Sequence, residues 1–134
     1  RQRVRLLGID TEESRTRDLT EKVYGKHAKK QILNWVTKAV ECDKDDCEIE
    51  LRCQERDSVG KYGRALGELW VFEDGIWTNV NKWMCEQGYA VPYVGQNKDD
   101  VKEQHMVNRR MLSDRGELII DETGAFLTSS SKTN

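Results

Sequence analysis

Arg3-Val-Arg-Leu-Leu-Gly-Ile-Asp-Thr-Glu-Glu13 decides how the rest of this chain is read. Val4, Leu6, Leu7 and Ile9 make a short apolar strand, and a strand that is apolar on both sides is normally interior. Charges at Arg5 and Asp10 therefore need a reason to be there. An odd number of positions separates them, so in an ideal strand they would face opposite ways and the chain must bend between them. Gly8 predicts that bend, because glycine accepts the backbone angles of a bulge or a strand end. Beyond it, Asp10-Thr-Glu-Glu13 has turn chemistry, and a turn at a strand end can bring side-chain and backbone oxygens onto one small cation. Taken alone, the same residues also read as solvated loop acids beside a surface arginine, since short motifs recur by chance.

The chain has 134 residues, which suits one domain with a real core. Hydrophobic residues at 37% suffice to fold, while 34% charged residues and a mean hydropathy of -0.81 imply a heavily solvated surface. No apolar run approaches the length of a bilayer span, so a membrane protein is excluded, and a monomer is expected. Arg1-Gln-Arg3 opens directly into strand without an initiator Met or a leader pattern, which reads as a fragment whose natural start is missing.

A net charge of -2 argues against a general basic surface that grips long nucleic acid. The charge is polarised, however. Residues 1–30 carry nine basic and five acidic side chains, 9 - 5 = +4, and residues 41–57 carry three basic and eight acidic ones, 3 - 8 = -5. Such a molecule can steer an anion to its positive side, although solvated helix and hairpin faces give the same pattern.

Residues 13–22 are polar and aperiodic and read as a loop, from which Arg15 and Arg17 could approach a polyanion. From about Gly25 to Ala39, Ala28, Ile32, Trp35, Val36 and Ala39 fall at helical spacing, with Trp35 a core anchor. Cys47-Glu-Ile-Glu-Leu-Arg-Cys53 alternates strictly and predicts a half-buried strand. Residues 54–60 read as a turn, and Lys61 to Phe72 as a longer strand closing at Glu73-Asp-Gly75, its small Gly63, Ala65 and Gly67 suiting a coiled strand in a closed sheet. Thr78 or Asn79 can cap a helix that Gly88 stops. Ala90 to Tyr93 is extended. A second capped helix runs from about Asp99 to Asp114 with a weak stripe of Val101, Val107, Met111 and Leu112. Residues 1–121 are expected to form the domain and 122–134 a polar, frayed tail. The order of elements is α+β, with few strands for a barrel, a deficit that strands ahead of Arg1 would repair.

Together, Val4-Arg-Leu-Leu-Gly-Ile-Asp-Thr-x-Glu13, Gly60-Lys-Tyr-Gly-Arg64, Val80-Asn81, Glu86-Gln-Gly-Tyr-Ala90 and Glu103-Gln-His105 resemble the staphylococcal nuclease (thermonuclease) family, from Arg3 to about Leu112. The resemblance implies an OB-fold, a five-stranded barrel with about three packed helices. It implies that Arg5 and Arg64 bind the scissile phosphate and that Glu13 acts on the attacking water. Asp10 and the backbone carbonyl of Thr11 would bind calcium. Lys61 and Tyr62 match positions that contact a terminal phosphate, and Tyr93 matches an aromatic beside the base. The implied activity is calcium-dependent hydrolysis of DNA and RNA with little base selectivity, leaving 3'-phosphate ends.

Two departures stand out. The family's earlier calcium-binding Asp lies ahead of this chain's first residue, and its usual Thr-Pro-Glu is here Thr11-Glu12-Glu13, which loses a rigid turn and adds a charge. The residue types suit the reaction: a guanidinium fork donates to two phosphate oxygens and stays charged, and a carboxylate can orient water. The competing expectation is a non-catalytic OB-fold that binds nucleic acid or protein. Cys42, Cys47, Cys53 and Cys85 lack the paired spacing of a zinc site. Cys47 and Cys53 read as core residues, and a Cys42–Cys47 disulfide is expected only in an exported protein. His105 reads as a packing or helix-surface residue rather than a general base.

Overall fold

The computed structural model describes residues 3–42, 47–53, 64–120 and 126–129, with the backbone alone at 3–5, 64–66 and 126–129. Its spine is the ten-residue strand β4 (Arg64–Glu73), numbered in chain order after β1 (Arg3–Leu6), β2 (Ile9–Asp10), α1 (Leu19–Val40) and β3 (Glu48–Cys53). One edge of β4 pairs antiparallel with β3, from Cys53 opposite Gly67 to Glu48 opposite Phe72. The other edge is shared. Its start pairs in parallel with β1, and its end pairs antiparallel with β5 (Ile76–Asn79).

The handover is held by one buried side chain. Asn81 donates from Nδ2 to the carbonyls of Leu7 (2.9 Å) and Gly67 (3.2 Å), and its Oδ1 accepts the N–H of Leu69 at 3.0 Å. These bonds tie together the backbone where one neighbour of β4 ends and the next begins, the Gly67 carbonyl also accepting the Leu7 N–H at 2.7 Å.

Asp74 and Gly75 both take positive φ, 52° and 78°, which makes the tight hairpin that an Asp-Gly pair favours. A returning strand must follow, so residues 76–79 are β5 rather than the lead-in to a helix cap alone. Asn79 does cap α2 (Val80–Glu86), its side chain accepting the Lys82 N–H at 3.2 Å. The chain continues through β6 (Val91–Pro92), α3 (Lys98–Asp114), β7 (Leu118–Ile120) and β8 (Phe126–Ser129). Strand β8, in the stretch expected as a tail, pairs antiparallel with β7.

Leu69 and Val71 turn one face of β4 into a core with Ala28, Val80, Met84 and Ala90. The helical stripe of Ile32, Trp35, Val36 and Ala39 packs against it as expected. A second cluster joins Tyr24, Leu112 and Leu118. Beside it the Glu117 carboxylate accepts from His27, from the Tyr89 hydroxyl and from Arg115, tying α1 to the start of β7. On the outer face of β4 the Arg52 guanidinium lies 4.2 Å from the Trp70 ring centre and 5.0 Å from that of Trp77.

Several expectations change. Helix α1 begins at Leu19, six residues before Gly25, because Asp18 caps it by accepting the Glu21 N–H at 3.0 Å. Strand β3 is not half-buried: all six residues are exposed, Ile49 at 40% and Leu51 at 36%. Cys53 is an exposed free thiol, and Cys47 forms a disulfide with Cys42, so neither is a core residue. On α3 the stripe of Val101, Val107, Met111 and Leu112 is the buried face only at Leu112; Val107 is 59% exposed and Met111 is exposed, and the other buried residue is His105. The architecture is α+β with three helices, but the described strands form a four-stranded sheet and two two-stranded ones without closing a five-stranded barrel. No described helix is long and apolar enough to cross a membrane.

Candidate functional site

The bend predicted at Gly8 is present. Leu7 and Gly8 form the turn between β1 and β2, with Gly8 at φ 76°, and the Gly8 carbonyl accepts the Tyr93 N–H at 2.8 Å. Strand β2 then pairs with β6, Ile9 opposite Pro92 and Asp10 opposite Val91, so the exposed Tyr93 sits at the Gly8 end of this short ladder and Asp10 at the other.

Arg5 and Arg64 come from neighbouring strands. Arg3 stands opposite Arg64 and Arg5 opposite Leu66 in the parallel β1–β4 ladder. Arg5 and Arg64 are thus one strand across and two residues along, about 8 Å apart at Cα, and in the same phase of the strand alternation. Lys61 and Tyr62 lie outside the described residues.

Helix α3 is docked on this corner by polar contacts. Asn108 donates to the Ala90 carbonyl at 2.9 Å, and Gln96, just ahead of the helix, bridges the Pro92 carbonyl and Gln104 at 2.8 and 2.9 Å. That docking sets His105 Nε2 2.7 Å from Asp10 Oδ2. One turn on, Arg109 grips both carboxylate oxygens of Glu12, Nε lying 3.1 and 2.9 Å from them, with a further Nη2 contact. The Arg109 guanidinium also lies 4.8 Å from the centre of the Tyr24 ring. Hydrogen bonding to Glu12 outweighs burial and holds the Arg109 pKa above its ordinary value, so the guanidinium stays charged. Burial likewise raises the Tyr24 phenol. The small cavity bounded by Glu12, Tyr24, His105 and Arg109, about 10 Å³, has room for about one water.

Helix α1 closes from the other side. The Glu21 carboxylate accepts the Glu13 N–H at 3.4 Å, and a methyl at Gly25 would meet the Glu13 carbonyl oxygen at 2.3 Å. Only glycine permits that approach. The Glu13 side chain itself is exposed, as are Arg15 and Arg17.

Reading for hydrophobic period missed this corner's supports. His105, Asn108 and Arg109 follow helical spacing, so a polar stripe facing an acidic turn was the available signal.

Asp10 has one oxygen outside its bond to His105, and the Thr11 carbonyl adds a second of the hard type that calcium takes. A calcium shell of roughly six to eight oxygens asks for more than that. Among the described residues no three or more His, Cys, Asp or Glu come together to hold a metal.

Residues 3–112 match the family described as staphylococcal nuclease homologue. The chain belongs to that family. A search of curated proteins finds no match. Staphylococcal-nuclease-type domains are nuclease or nucleic-acid-binding modules.

Proposed function

We propose that this chain is a calcium-dependent nuclease of the thermonuclease type, hydrolysing DNA and RNA with little base selectivity to leave 3'-phosphate ends. The observation that carries the reading is the β1–β4 register, which sets two arginines far apart in sequence on adjacent strands in a staphylococcal nuclease homologue. Phosphodiester hydrolysis needs charge neutralised on the phosphate oxygens and a water in line with the leaving group. Arg5 and Arg64 would clamp the phosphate. Glu13 would orient or deprotonate the water. Lys61 and Tyr62 would hold a neighbouring phosphate, and Tyr93 would offer a ring that any base can stack on. Asp10 and the Thr11 carbonyl would contribute to holding calcium, whose charge would offset that of the substrate. The four-stranded sheet is the open part of an OB barrel in this reading.

The test is cleavage of single-stranded DNA with calcium and with chelator. Cutting should require calcium, and Arg64→Lys, which keeps the charge but loses the fork, should lower the rate by on the order of a thousandfold. Binding without cutting at any calcium level would leave a non-catalytic OB-fold module instead.

A further inference from the structure

Glu12 occupies the place where the family's usual turn has proline. Proline stiffens a turn from within by fixing φ, and glutamate does not. The structure supplies stiffness from outside. Arg109 holds both Glu12 oxygens, and its Cζ lies over the Tyr24 ring, so the guanidinium is held from two sides. On the far side, the Glu12 and Glu13 carbonyl oxygens lie 2.7 and 2.3 Å from where a Cβ on Gly25 would be, and Glu21 takes the Glu13 N–H. The backbone on both sides of Glu13 is therefore gripped while its carboxylate projects into solvent.

We propose that Arg109 is a positioning residue for Glu13, its grip on Glu12 replacing across the fold the restraint that a proline gives within the chain. Its effect on rate rests on the nuclease reading, and its effect on the backbone does not. Removal of Arg109 leaves the turn free to re-aim Glu13, and a misplacement near 1 Å lowers rates by up to about a hundredfold.

The experiment compares the wild type with Arg109→Ala, Arg109→Lys and the double variant Glu12→Pro/Arg109→Ala. It reads kcat and KM on single-stranded DNA with calcium, and amide hydrogen exchange at residues 11–13. Arg109→Ala should lose roughly ten- to a hundredfold in kcat at little-changed KM, with faster exchange at 11–13 and unchanged exchange in β4. The double variant should recover most of both, its exchange being read at residues 11 and 13 because proline has no N–H. Wild-type kcat in Arg109→Ala, or no recovery in the double variant, overturns the proposal while leaving the nuclease reading standing. If the wild type does not cut DNA, exchange alone decides: faster exchange at 11–13 upholds the positioning role and unchanged exchange ends it. Should Arg109→Ala fail to fold, Arg109→Lys carries the same comparison, a lower kcat at constant KM supporting the role and an unchanged kcat refuting it.

Discussion

The turn at residues 10–13 and the strand β3 are held in opposite ways. The turn is gripped by side chains from α1 and α3, and its backbone abuts a glycine. Strand β3 is held by its ladder to β4 and by the Cys42–Cys47 disulfide ahead of it, with all six residues exposed. Its ion pair, Arg52 with Glu50 at 2.8 Å, is solvated and stabilises little. A ladder places a backbone but does not aim a side chain. Polar contacts made from outside the strand do, as His105 does for Asp10 and Arg109 for Glu12.

That contrast can be broken by loading each region. Gly25→Ala should have the largest effect. In an ordinary helix interior the change stabilises by about 1 kcal/mol, but here the methyl meets two carbonyls, so a loss of about 1–3 kcal/mol is expected. Chemical denaturation gives the sign, and a gain would show the turn to be loosely held.

Glu117→Gln comes next, at about 1–2 kcal/mol. Burial pushes the Glu117 carboxyl up, but hydrogen bonds from Tyr89 and His27 and the charge of Arg115 outweigh it and hold the pKa below the ordinary 4.5. A depressed folded value means stability that is present above the unfolded pKa and lost as pH falls through the folded one. Melting points of the wild type should therefore drop below about pH 4.5 more steeply than those of Glu117→Gln. Parallel acid slopes would contradict the assignment. Smallest of the three is Ile49→Thr on β3, which should shift unfolding by about 0.5 kcal/mol or less; a shift of a core substitution's size would mean that this face is covered.

Much of the fold was legible because it rests on local rules. Gly8 marked the bend, Asn79 the cap and the spacing from Ala28 to Ala39 the buried helix face. Strand β5 was also signalled, by Asp74-Gly75, but its four residues run straight into a helix and were absorbed into the cap. The burial of β3 misled because alternation reports a potential for burial, which is realised only if another element arrives. The hidden part of the site was of another kind. His105 and Arg109 look like ordinary helix-surface residues until α3 is docked, and besides Leu112 in the second cluster what docks α3 is the Asn108 and Gln96 hydrogen bonds, which have no periodic signature.

Asn81 carries a consequence for the ageing of the protein. Its carboxamide gives two hydrogens to carbonyls and takes one from an N–H, a division that no carboxylate reproduces. Hydrolysis of the carboxamide, which takes up water and releases ammonia, would set a carboxylate acceptor against two carbonyl acceptors at the junction of three strands. Because α2 holds the backbone in helical form, that reaction has to wait for local opening, so the shelf life of the molecule is tied to how seldom this corner breathes.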